Sequence, residues 1–164
     1  MERKRIEPGP GQESVWDYPR PPRWEASEKR ICVEFHGLIL AETNRAIRVL
    51  ETSHPPVYYL PPEEVKLEVL KSSRRRSFCE WKGQAAYYDL NWKDHFVPQI
   101  AWYYPEPNAS FQCLKNYLAF YPSKVTKCSV DRKVVKAQEG DFYGGWITKD
   151  IVGPFKGGMG TMGW

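Results

Sequence analysis

The sequence predicts a mainly β protein: one small domain, built as a folded-over antiparallel sheet or a small barrel, with one or two short helices. Three observations carry this. Many short stretches suit strands and end at turn-forming residues. Only two segments, 61–73 and 111–118, have helical spacing. Aromatic residues make up 15% of the chain, including seven Trp and ten Tyr, and such side chains suit sheets and pocket walls.

The elements follow in order. Residues 1–28 form an arm rich in Pro and aromatic residues. In WDYPRPPRWE, Trp16, Tyr18 and Trp24 surround Pro19, Pro21 and Pro22. The prolines favour an extended path. The rings favour an arm packed back on its own domain, because an exposed Trp is costly. Residues 29–164 are the domain, ending in a Gly-rich tail. ICVEFHGLILA reads as strand, turn at Gly37, strand; AIRVLET and VYYL read as extended. PPEEVKLEVLKSS has a helix start, with Pro62 first and Glu63 and Glu64 in the opening turn. SFCEWKGQAAYYDL reads as a hairpin turning at Lys82 and Gly83, and VPQIAWYYP as a strand. FQCLKNYL is a short helix by spacing. KCSVDRKVVKA turns at Asp131 and Arg132, and DFYGGWIT is a late strand.

Composition excludes some classes. Twenty-four basic less twenty acidic residues leave +4, too small an excess to imply nucleic acid. The densest basic run, KSSRRRS from Lys71 to Ser77, has no interleaved aromatics and reads as a solvated loop. Cys32, Cys79, Cys113 and Cys128 are far apart, without Cys-x-x-Cys, so a zinc knuckle is not expected. His36, His54 and His95 lack ligand spacing, and no metal site is expected. No apolar run approaches the roughly 20 residues that span a bilayer, and no hydrophobic leader follows MERKR. A cytoplasmic protein with reduced thiols and no membrane association is expected.

Several segments are specific together: WDYPRPPR, RVLETSHPPVYYLP, CEWKG, AWYYPEP, AFYP, FYGGWIT and GPFKGG-x-GT-x-GW. In this order they closely resemble the uncharacterised domain-of-unknown-function family 427, also labelled nucleotidyltransferase-like. The resemblance covers about residues 15–164. It implies a β-tent or barrel-like fold, of the kind seen in some zinc-binding and methionine-sulfoxide-repair proteins. It does not imply their metal, because their Cys pairs are absent here. It brings no established reaction. DRK stands where the family has a glycine turn, and EGDFYGG where it has two glycines before the Phe; both read as loop changes.

The candidate chemistry starts at SHPPVYYLP. A residue before proline is held extended, so His54 is presented in a fixed direction. It is either a general acid or base or a histidine satisfied by a backbone carbonyl. Tyr58 and Tyr59 point to opposite sides of a regular strand, and Tyr58 is the expected ligand contact. In CEWKG, strand alternation puts Cys79 and Trp81 on one face, Glu80 and Lys82 on the other. Glu80 and Lys82 either form a surface pair or flank an anion; Cys79 is expected to be an inert buried thiol unless a base reaches it. The glycine pair in FYGGWIT marks either close approach of a ligand, with Tyr143, Trp146 and Thr148 around it, or core packing of Trp146. FKGGMGTMGW is no phosphate loop, since Lys156 precedes the glycines and no helix follows, but Lys156 is a candidate anion contact.

Two functions lead, and nucleic-acid binding through Arg74–Arg76 stands a distant third. One is a small-molecule-binding β domain, or an enzyme using His54 and Glu80 for acid–base chemistry on an anionic or nucleotide-like metabolite, without an organic cofactor. The other is a non-catalytic protein-interaction module, binding through the arm or an aromatic face.

Overall fold

The computed structural model describes residues 4–140 and 142–164. Residues 1–3 of the arm, and Asp141 at the head of the expected late strand, lie outside the described residues. Chain order gives β1 (Glu13–Ser14), β2 (Arg23–Ser27), β3 (Ile31–Phe35), β4 (Leu38–Thr43), β5 (Ala46–Leu50) and β6 (Val57–Tyr59). Three long strands follow: β7 (Leu70–Cys79), β8 (Gly83–Trp92) and β9 (His95–Tyr103). Then come β10 (Leu118–Phe120), β11 (Lys127–Val130), β12 (Lys133–Val134), β13 (Lys136–Ala137), β14 (Trp146–Ile147) and β15 (Ile151–Val152).

Short 3-10 turns are the only helical pieces among the described residues, which corrects both expected helices. PPEEVKLEVLKSS makes turns at Pro62–Glu64 and Leu67–Val69, then enters β7 at Leu70. Val65, Leu67 and Val69 also fit a period of two. Val65 bridges Ala41, and Leu70 pairs with Leu90, so cross-strand partners override a weak helical preference. FQCLKNYL is a 3-10 segment, Ala109–Leu114, that leads into β10. The basic run is strand, not loop. Ser72 pairs with Tyr88 and Arg76 with Ala86, so three residues of β7 stand against one of β8 in a bulge, with Ser73 buried and Arg74 and Arg75 exposed. The late strand shrinks to Trp146–Ile147. No described helix is long and apolar enough to cross a membrane.

The hairpins form where turn residues demanded them. His36 and Gly37 take φ of 46° and 82° between β3 and β4, and Asp131 and Arg132 take 47° and 68° between β11 and β12. One sheet runs β12-β11-β3-β4, a second β10-β9-β8-β7, a third β2-β5-β6. Leu60 and Leu118 exchange backbone hydrogen bonds of 2.8 and 2.9 Å, which joins the third sheet to the second along β6 and β10. None of these sheets closes into a barrel. β1 pairs in parallel with β15, and β2 of the arm pairs with β5.

The joined sheet has two buried faces, and strand alternation sorts residues between them. Tyr58, Ala101 and Phe120 enter the main core with Val33, Leu40 and Trp146. Their neighbours Tyr59, Trp102 and Tyr121 enter a second cluster with Tyr87, Tyr104 and Phe111. The second face is therefore aromatic, and it is concave where the sheets meet.

Candidate functional site

A cavity of ≈ 420 Å³ opens on the aromatic face. That volume suits a small ligand. Tyr59, Tyr87, Trp102, Tyr104 and Tyr121 form its walls. They are tied together: Trp102 Nε1–H donates to Tyr59 Oη at 3.2 Å, and Ser77 Oγ and Tyr87 Oη share a hydrogen bond of 2.8 Å. The Trp102 and Tyr121 rings meet at 4.6 Å. Burial holds the Tyr59, Tyr104 and Tyr121 hydroxyls protonated by pushing their pKa values up. Phe78 and Phe142 stand exposed at the rim.

The loop Glu51–Pro56 brings His54 to the cavity. Ser53 has φ 74°, and its N–H donates to the Val15 carbonyl at 3.1 Å. The Ser53 carbonyl accepts from Lys156 N–H at 2.8 Å, and the Pro56 carbonyl from Trp146 N–H at 2.8 Å. His54 is only 8% exposed, and its ring tilts against Tyr143 at 4.7 Å. Burial pushes its pKa down to about 4, helped by the positive charges of Lys156, Arg20 and Lys82. The imidazole is therefore neutral at pH 7.

Gln138 decides which nitrogen carries the proton. Its side-chain oxygen accepts from Gly145 N–H at 3.1 Å, which fixes the amide's orientation. Its NH₂ then donates to the Lys156 carbonyl at 2.6 Å and faces His54 Nδ1 at 3.3 Å. Nδ1 is thus an acceptor, and the proton sits on Nε2. Nε2 lies 3.8 Å from the Glu51 carboxylate, beyond a good hydrogen bond. In this tautomer His54 is a donor; a base role requires the proton to leave Nε2. Nothing in the sequence marks Gln138, which lies in the polar stretch AQEG between short strands.

Lys82 sits in the turn between β7 and β8. Asn108 pins that turn: its N–H donates to the Lys82 carbonyl at 2.9 Å, its side-chain amide to the Trp81 carbonyl at 3.0 Å. The turn breaks the strand alternation expected of CEWKG. It folds Lys82 back so that Lys82 and Cys79 line the same cavity, while Glu80 stays exposed at the rim. Lys82 is only 9% exposed. Its Nζ lies 6.0 and 5.8 Å from the Tyr104 and Phe111 ring centres. No carboxylate among the described residues comes within ion-pair distance of it. Burial opposes its charge; Tyr59, Cys79 and Glu51 favour it, and the balance keeps the pKa above the ordinary lysine value.

Of the expected site residues, His54, Glu80, Lys82, Tyr143 and Lys156 line this one cavity. Lys156 Nζ stands 5.5 Å from the Tyr143 ring centre. Three others stand elsewhere. Tyr58 and Trp146 pack on each other in the main core at 5.1 Å. Thr148 is buried and donates to Asp150. The wall position belongs to Tyr59, the alternate neighbour of Tyr58. His36 and His95 stack at 4.1 Å, and neither lines the cavity that holds His54. Among the described residues no group of three or more His, Cys, Asp or Glu is placed to hold a metal ion.

Fold and site together define a small, mainly β domain with an aromatic cavity around a buried lysine. The chain belongs to the family described as a domain of unknown function, DUF427, whose model matches residues 23–131. That span supplies His54, Cys79, Lys82 and the aromatic walls, while Gln138, Tyr143 and Lys156 lie beyond it. No curated protein matches the chain.

Proposed function

We propose that the cavity binds a small anionic molecule carrying a flat ring, with Lys82 as its counter-ion. The observation that carries this is the buried ammonium, which has no carboxylate among the described residues within ion-pair distance. A buried charge is costly unless paired, and here the open side of the charge faces a cavity, where a ligand acid group completes the pair. Lys156 adds a second positive charge, and His54 offers its Nε2–H to an acceptor oxygen. The tyrosine and tryptophan walls suit a planar ring. Nucleotide-like and aromatic acids share this chemistry. Acid–base catalysis by His54 and Glu80 is a finer reading that needs the Nε2 proton to move.

The interaction-module reading draws less support. Trp16 meets Trp164 at 5.6 Å, and Trp24, 43% exposed, still donates its Nε1–H to the Ser110 carbonyl at 3.1 Å.

The test is thermal unfolding against aromatic carboxylates, nucleoside monophosphates, sugar phosphates and neutral ring compounds. A ligand at 100 times its Kd adds about 2.7 kcal/mol, or roughly 5–10 °C at this size. A shift with ring-bearing anions, lost in Lys82→Met, is the expected result. No shift with any anion, or equal shifts in Lys82→Met, would overturn the proposal.

A further inference from the structure

Cys79 differs from the other three thiols in its surroundings. Cys128 is buried in the main core, and burial pushes its pKa up. Burial also raises the pKa values of Cys32 and Cys113, which do not line the cavity. Cys79 is half-buried and lines the cavity together with Lys82, whose charge it favours. An adjacent cation inside a pocket is the setting in which a cysteine acts as a nucleophile. The second mark is Lys82 itself, nine-tenths buried, with no carboxylate among the described residues within ion-pair distance.

We propose that Cys79 is a reactive nucleophile of this cavity, and that it reacts with small carboxylic acids whose electrophilic carbon lies next to the acid group. The proposal rests on the reading of Lys82 as an anion anchor. The class follows from geometry. Lys82 and Cys79 line one cavity, three residues apart across a tight turn, so an acid group held by Lys82 brings the carbon next to it towards Sγ. With a 2-halo acid, Sγ gives an electron pair to that carbon. A carbon–sulfur bond forms, the carbon–halogen bond breaks, and the halide leaves with its pair. The thiol proton goes to solvent.

Iodoacetate and iodoacetamide present the same electrophilic carbon with and without a charge. The experiment is site-resolved alkylation of the full chain at pH 7, read by mass spectrometry, with Cys32 and Cys113 as internal references. The iodoacetate-to-iodoacetamide rate ratio at Cys79 is expected to exceed that at Cys113 by at least about tenfold, the scale of one nearby charge in a partly buried site. Lys82→Met should remove the excess and Lys82→Arg should keep it, with thermal midpoints showing that both variants fold. Equal ratios at the three cysteines, or a Cys79 no faster than Cys113 with either reagent, would overturn the proposal. Cys79→Ser separates the two readings. If that variant still binds ring-bearing anions while wild-type Cys79 shows no preference, the nucleophile falls and the binding site stands. If anion binding is absent as well, both fall.

Discussion

His54 makes stability depend on pH in a way that one substitution isolates. Its pKa is about 4 in the folded protein, against the ordinary 6.5 of an unfolded chain. The unfolded state therefore binds the proton more tightly, and stability falls as pH falls. The contribution is intact above 6.5, shrinks between 6.5 and about 4, and is gone below. At pH 5 the unfolded imidazole is almost fully charged and the folded one almost fully neutral. Unfolding then takes up about 0.9 proton, a slope of about 1.2 kcal/mol per pH unit. From pH 7 to pH 5 the loss is about 2 kcal/mol, and below pH 4 it approaches about 3 kcal/mol.

The comparison is urea unfolding of wild type and His54→Gln at pH 7, 6 and 5. Carboxylates titrate in both proteins, so their effects cancel in the difference. The wild type should lose about 2 kcal/mol more than the variant over that range, or roughly 4–8 °C in thermal midpoint. Parallel curves would refute the reasoning, as would an imidazole that titrates near 6.5 by NMR. Part of the depression comes from Lys156, Arg20 and Lys82. An anion bound beside Lys82 should therefore move the titration of His54 to higher pH.

Three further outcomes are expected. Gln138→Leu removes the partners of Gly145 N–H, the Lys156 carbonyl and His54 Nδ1; it should cost roughly 1–3 kcal/mol by urea midpoint and redistribute the His54 proton between its nitrogens, read by ¹⁵N shifts. Gly144→Ala sets a Cβ 2.6 Å from the Trp102 ring at φ 67°; it should cost about 2–4 kcal/mol and disturb the cavity wall, and an unchanged midpoint would contradict it. Arg48 is 14% exposed and bridges Glu13 and Glu25 at 2.5 Å each. Arg48→Met should cost roughly 1–3 kcal/mol, less than a fully buried pair because both carboxylates reach solvent, and added salt should narrow the gap.

The parts of the fold legible in the sequence were those fixed by local chemistry. Gly37 and the pair Asp131–Arg132 sit at turns that need positive φ, and the strands around them followed. Proline and loop chemistry likewise pointed to His54, which is held from several sides. What failed was the use of a period past its end. In CEWKG, alternation separates Cys79 from Lys82 only while the chain stays a strand; the strand stops at Cys79, and the turn held by Asn108 brings the two together. Tyr58 and Tyr59 show the complementary limit. Alternation says that they part, but only the packing of Trp146 against Tyr58 decides which of them enters the core.

The glycine pair shows how packing decides between two readings of one local signal: Trp146 takes the core. Gly144 and Gly145 do mark close approach, as glycines within a strand suggested. What approaches is the protein itself: the Trp102 and Tyr121 rings crowd Gly144, and Pro55 and the Gln138 amide crowd Gly145. Those contacts seat Trp102 in the cavity wall and orient the Gln138 amide that faces His54 Nδ1. The glycines therefore shape the site from behind. Trp146 fills the core on the other side, its Nε1–H donated to the Phe120 carbonyl at 3.2 Å. A substitution at Gly145 should reach His54 from two sides, through Gln138 and through Pro55, which lines the cavity, whereas Gly144 acts through Trp102 and Tyr121. The two changes press on different parts of the wall: the His54 loop in one case, the Trp102 ring in the other.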